Sequence, residues 1–190
     1  MADATTAEEL LSRPFATMAE LVAAHARDRP GHPALMEGER ALSYAQLDAL
    51  IDRAAAALQR DGVRHGGAVA ICAPSSIDYV VVFIAALRVG AAACPLAPSS
   101  TPDALAAMVR DCGASHLFLD AGAATALDQA SHPPAALRIA LEGEAGLALS
   151  DWMAPPGARP QPVDVRPEDA FNIIYSSGTT GAPKGIVQSH

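Results

Sequence analysis

The sequence predicts a three-layer α/β fold, a mainly parallel sheet with helices on both faces. Three observations predict it. Short apolar runs of strand length recur without polar alternation, which marks strands buried on both sides. A helical stretch separates each run from the next, as parallel neighbours require. The composition, 51% hydrophobic and 18% charged over 190 residues, can fill a core of that kind.

The elements follow in order. FATMAELVAAHARDRPG, residues 15–31, has an amphipathic pattern stopped by Pro30 and Gly31. PALMEGERALSY then reads as a hairpin turning near Gly38. Ser43 and Gln46 have the spacing of a capping box, so a helix is expected through YAQLDALIDRAAAALQRDG to a stop at Gly62. AVAICAP is a strand and SIDYVVVFIAALRVG a helix, followed by the strand AAACPLAP. TPDALAAMVRDCG opens on Thr101 as cap, with Pro102 at the first helical position. HLFLD, AATALDQA and LRIAL continue as strand, helix and strand. Sheet strands are thus expected around residues 69–73, 91–96, 116–119 and 137–141. No internal repeat is found.

Beyond Trp152 the character changes. Residues 154–169, APPGARPQPVDVRPED, carry five prolines and few apolar side chains, and read as a surface connection. The chain divides accordingly into an N-terminal α/β part (1–153), the Pro-rich connection (154–169) and a final segment (170–190). That segment holds an apolar strand, AFNIIYS, then a glycine-rich loop and a second strand-like piece, GIVQSH.

Charge and composition exclude several roles. A net charge of −8 argues against a general nucleic-acid surface. The N-terminus has acids where a signal peptide needs bases. The most apolar run, residues 79–98, is broken by Arg88, Gly90 and Pro95, short of the about 18 apolar residues a membrane span needs. A cytoplasmic protein is expected. Cys72, Cys94 and Cys112 have no metal-ligand spacing and read as buried reduced thiols. Trp152, His25, His32, His65, His116 and His132 match no motif and are assigned packing or surface roles.

The chemistry concentrates in YSSGTTGAPKG. It holds the chain's only lysine, Lys184, against 13 − 1 = 12 arginines. Ser176, Ser177, Thr179 and Thr180 offer hydroxyls. Gly178, Gly181 and Gly185 permit positive φ, which lets successive N–H groups converge on an anion. With the compact ammonium of Lys184 this set suits a polyphosphate. A plain hairpin turn would use similar residues. The nucleotide-triphosphatase P-loop fails on spacing: the sixth residue from Gly178 is Pro183 instead of glycine, and Gly185 follows Lys184 where a hydroxyl is needed.

YSSGTTGAPKG followed by IVQSH resembles the phosphate-binding signature of the adenylate-forming superfamily, which includes acyl-CoA synthetases, peptide-synthetase adenylation domains and luciferases. ERALSYAQLDALIDRAAAAL and FIAALRVGAAACPLAP are similar to the N-terminal region of the same family. The resemblance implies the N-terminal portion of an AMP-forming carboxylic acid–CoA ligase that uses ATP, Mg2+ and coenzyme A. A small carboxylic acid would be activated as an acyl adenylate and passed to a thiol. Ser176, Ser177, Gly178, Thr179, Thr180, Gly181 and Lys184 would hold the β- and γ-phosphates. His190 would lie near the junction of acyl group and nucleotide. The nucleoside contacts, the magnesium-holding acid and the acyl pocket would lie downstream, so the 190-residue chain alone is expected to be inactive. No bound metal is assigned to these residues, and the acid and the oligomeric state are left open. Two alternatives remain: a domain loading a carrier-protein thiol, and a phosphate-binding module without chemistry.

Overall fold

Capping side chains set where the first helices begin. In the computed structural model, which describes residues 5–143, 145–176 and 183–190, α1 (Ala7–Leu11) and α2 (Met18–Asp28) open on capping boxes formed by Thr6 with Glu9 and Thr17 with Glu20. Helix α2 starts at Met18, and not at the Phe15 that apolar periodicity suggests, because Thr17 takes the extended cap conformation. After the antiparallel hairpin of β1 (Pro33–Glu37) and β2 (Arg40–Ser43), the Ser43–Gln46 box opens α3 (Tyr44–Arg60). Each box satisfies two backbone N–H groups that the helix itself leaves unpaired.

The apolar runs become β3 (Ala68–Cys72), β4 (Ala92–Pro95), β5 (His116–Leu119) and β6 (Leu137–Ala140). All four expected strands are present and parallel to their neighbours among themselves. Strand β7 (Leu147–Ala148) and helix α7 (Leu149–Trp152) are too short to leave a periodic trace in the sequence. Residues 170–190 add β8 (Ala170–Ser176) and β9 (Lys184–Ser189) to the same sheet, whose order is β7-β6-β5-β3-β4-β8-β9. Only the β8–β9 pair is antiparallel.

Alternation along the buried strands divides the core into two layers. Val69, Ile71, Phe118 and Ile139 point towards α2, α3 and α4 (Ile77–Arg88). Ala70, Cys72, Cys94, Leu117 and Leu119 point the other way, towards α5 (Pro102–Asp111) and α6 (Ala121–Asp128). The cysteines are free thiols, and burial pushes the Cys72 thiol up to about 12. No helix among the described residues is long and apolar enough to cross a membrane.

The Pro-rich connection has neither helix nor strand, yet it is tied to α3. Arg53 Nε donates to Ala154 O at 2.8 Å, and Gln59 and Gln161 exchange hydrogen bonds of 2.9 and 2.7 Å. Arg88, at the end of α4, forms 2.7 Å ion pairs with both Asp48 and Asp52 of α3. That pairing fixes the two helices against each other where the connection crosses them.

At the amino edge of the sheet Asp61 gathers several donors. Its carboxylate accepts from Arg60 Nε at 2.7 Å and from Trp152 Nε1 at 2.7 Å, with His116 Nε2 at 3.4 Å. The Arg60 guanidinium first, then the Trp152 N–H, hold this carboxyl at about 2 against the opposing effect of burial. A depressed carboxyl contributes stability that is complete above its ordinary value of 3.8 and is lost as pH falls through about 2. Asp61→Asn is therefore expected to lower the urea midpoint near neutral pH, with the deficit shrinking as pH falls across that window. A deficit unchanged at the acid end would assign the effect to something other than the carboxylate.

Candidate functional site

Sheet polarity decides where the glycine-rich segment emerges. Strand β8 runs parallel to β4, with Ala93 opposite Asn172, so its last residue, Ser176, lies at the carboxyl edge of the sheet. Open α/β sheets take their ligands outside that edge. Strand β9 returns antiparallel and places its first residue, Lys184, directly opposite Ser176. Both residues are exposed. A hydroxyl and an ammonium thus stand side by side on facing strand ends, a pairing suited to phosphate oxygens. Ser177, Gly178, Thr179, Thr180 and Gly181 lie outside the described residues.

Two sequence expectations change in detail. Lys184 belongs to β9 and is held in register by the strand pair, not by a turn. Gly185 does not use positive φ. It allows close approach: a Cβ there would be tight, 3.1 Å from Ile173 Cγ2 and 3.2 Å from Tyr175 Cζ. The ring of Tyr175, its cross-strand partner, covers the bare backbone.

Tyr175 is a residue to which the motif's spacing gives no task. Its hydroxyl donates to Asp111 Oδ2 at 2.6 Å, with Met108 O at 3.2 Å. Burial first, and then the hydrogen bond to Asp111, push the phenol well above its ordinary value.

His190 is not brought to the Ser176–Lys184 pair. It follows the far end of β9, six residues from Lys184 and roughly 20 Å away along extended strand. Its N–H donates to Asp169 O at 3.2 Å, and its ring meets Phe171 and Phe15 edge-on at 5.3 and 6.0 Å. Burial lowers its pKa, opposed by the nearby Asp169 carboxylate. The ring borders a largely apolar pocket of about 530 Å³ formed with Leu10, Phe15, Leu21 and Phe171. Asp169 is itself held by His65 Nε2 at 2.7 Å and by the N–H of Arg166 at 2.8 Å.

Among the described residues no group of three or more His, Cys, Asp or Glu side chains is placed to hold a metal ion. Among the described residues, the Ser176 hydroxyl and the Lys184 ammonium at the carboxyl edge have the chemistry to meet phosphate oxygens.

Known proteins resemble this chain in sequence and in fold. The chain is 35% identical over 181 residues to syringomycin synthase SyrB1 of Pseudomonas syringae pv. syringae, covering 94% of this chain and 27% of that protein. It is also 35% identical over 170 residues to 4-coumarate–CoA ligase 1 of Oryza sativa subsp. japonica, covering 83% of this chain and 30% of the ligase. The crystal structure of the anthranilate CoA ligase AuaEII in complex with anthranoyl-AMP superposes with a TM-score of 0.84 at 25% identity, over 97% of this chain and 36% of that one. The chain therefore spans under a third of the length of each of these two relatives. The family described as AMP-binding enzyme matches residues 22–190, nearly the whole sequence and all of the sheet, and the chain belongs to that family.

Proposed function

We propose that this chain is the N-terminal portion of an ATP-dependent, AMP-forming carboxylic acid–CoA ligase. In this reading Ser176 and Lys184, with Ser177, Gly178, Thr179, Thr180 and Gly181 between them, hold the β- and γ-phosphates of ATP. One observation carries it: in a chain of the AMP-binding enzyme family, Ser176 and Lys184 face each other at the carboxyl edge of the sheet. A carboxylate oxygen attacks the α-phosphorus, and the bond to the leaving pyrophosphate breaks with its electron pair going to pyrophosphate. The Lys184 ammonium answers the charge that gathers there, an interaction stronger in the transition state than before it. A thiol then takes the acyl group and releases AMP. Magnesium would add charge neutralisation on the phosphates, and no residue of this chain is assigned to hold it.

The separation along β9 bears on His190. Roughly 20 Å of extended strand separates the two backbones, a span comparable to the reach of both side chains plus the length of a triphosphate. In this reading His190 keeps its place near the junction of acyl group and nucleotide, with its ring packed edge-on against Phe15 and Phe171.

Exposure at the sheet edge supports further protein beyond this portion. All six residues of β9 are exposed, including Ile186 at 52% and Val187 at 63%. An open apolar edge strand of this kind is ordinarily covered. The acceptor thiol is the point on which a second reading stands. Nonribosomal peptide synthetase 8 of Aspergillus fumigatus, at 32% identity, stands beside the CoA ligase at 35%, so a carrier-protein thiol is supported nearly as well as coenzyme A.

The test is acid-dependent ATP–pyrophosphate exchange by the full-length enzyme over a panel of carboxylic acids, followed by transfer to coenzyme A or to a phosphopantetheinyl carrier. Exchange with transfer to coenzyme A is the expected result. Transfer only to the carrier establishes the second reading. Absence of exchange with every acid leaves a phosphate-binding module and rejects both. The 190-residue chain alone is expected to give no exchange, because the nucleoside and acyl contacts are assigned elsewhere.

A further inference from the structure

The strand ends that carry Ser176 and Lys184 need something to fix them, since among the described residues β9 has a neighbour on one side only. One side chain does so from within. Tyr175 immediately precedes Ser176 on β8, and its cross-strand partner Gly185 immediately follows Lys184 on β9. The ring lies close over Gly185: a β-carbon there would sit 3.2 Å from Cζ and 3.3 Å from Cε1, so the ring would have to give by a few tenths of an ångström. The hydroxyl then reaches out of the sheet to the last turn of α5, donating to Asp111 Oδ2 at 2.6 Å beside Met108 O at 3.2 Å. A single residue thus touches both strands at the positions flanking the phosphate-binding pair and braces them against a helix.

We propose that Tyr175 is a positioning residue for the phosphate site, acting through Lys184, and that Asp111 is the anchor that holds it. The inference rests on the phosphate role proposed above for Lys184. Strand pairing alone sets the register of Ser176 against Lys184, but it leaves the hairpin free to twist as an edge ribbon. The 2.6 Å bond to a carboxylate, a charge-assisted bond, ties that twist to the body of the sheet. Small displacements of a charged group from its productive place are costly in catalysis, so the brace acts on rate and not on binding alone.

The test uses the full-length enzyme and single-turnover adenylation. Tyr175→Phe keeps the ring over Gly185 and removes only the hydroxyl. It is expected to slow adenylation about tenfold, the loss of one hydrogen bond to a charged group. KM for ATP should change far less than kcat. Asp111→Ala should match it, and Asp111→Asn, which retains an acceptor oxygen, should recover most of the rate. The discriminating arm is the double variant. If Tyr175 works through Lys184, Tyr175→Phe costs nothing further once Lys184→Ala is in place. Effects that multiply in the double variant, or wild-type adenylation by Tyr175→Phe, overturn the positioning role. Failure of the phosphate reading shows separately, as full adenylation activity in Lys184→Ala alone. Should Tyr175→Phe not fold, the two Asp111 variants carry the same comparison, with Asp111→Ala active at the wild-type rate as the refuting result.

Discussion

Lys184→Ala in the full-length enzyme is expected to slow acyl-adenylate formation about 10²–10³-fold while leaving thiol transfer near its original rate. The asymmetry follows from when charge develops. Negative charge gathers on the leaving pyrophosphate in the first step only, so an ammonium facing it lowers that barrier and not the next. A preorganised donor of this kind is worth about 2.7–4 kcal/mol of transition-state stabilisation. Lys184→Arg should restore only part of the rate. The ammonium is a compact point charge on a flexible stem, whereas the guanidinium is a rigid planar fork. The strand frame makes this sharper: Lys184 is paired with Ser176, so the longer head cannot be accommodated by moving a free turn. Single-turnover kinetics that follow adenylation and thiol transfer separately decide it. A variant slowed only in thiol transfer would falsify the phosphate role of this lysine.

Much of this frame is legible in the residues themselves. AVAIC, AACP and HLFL are too uniformly apolar for any place but a doubly covered sheet, and they form its parallel centre. The Ser43–Gln46 box marks the start of α3 to the residue. The Thr17–Glu20 box carried the same signal at α2, where the apolar pattern around Phe15 draws the boundary upstream instead. Four-residue α7 and two-residue β7 leave no periodicity to detect. The site divides in the same way. The lysine and hydroxyls are visible in a local motif, because one short segment carries them all. The Tyr175–Asp111 contact is not, because its partners stand 64 residues apart and meet only when α5 packs beside β8. The gap between Lys184 and His190 is equally hidden: six residues are near in sequence, yet in an extended strand they are far in space. Asp61, His116 and Trp152 show no motif for the same reason. Three unremarkable positions become one network only through the fold.

That network carries the largest expected effect on stability. Trp152 is 1% exposed, its ring set edge-on to Phe118 at 5.0 Å, and its N–H donates to Asp61 at 2.7 Å. Trp152→Ala removes the ring from beneath α3 and opens a cavity beside Phe118, which costs about 3–5 kcal/mol. Domains of this size hold only about 5–15 kcal/mol in all, so the variant should unfold at a much lower urea concentration. Two mechanisms are superposed in that loss, packing and the hydrogen bond to a carboxylate. Trp152→Phe separates them. It retains most of the aromatic contact and removes the donor, at a cost of about 1.5–3 kcal/mol for a bond to a charged group. Asp61 would keep Arg60 as a partner, which limits the penalty of an unpaired charge. If the indole N–H is what matters in Trp152→Phe, the same substitution should cost much less in an Asp61→Ala background. Urea unfolding followed by far-UV circular dichroism measures all five chains on one scale, since Trp152 is the only tryptophan and its fluorescence disappears in both of its substitutions. An equal cost of Trp152→Phe in both backgrounds would show that the ring's packing, and not its bond to Asp61, ties α7 to the amino edge of the sheet.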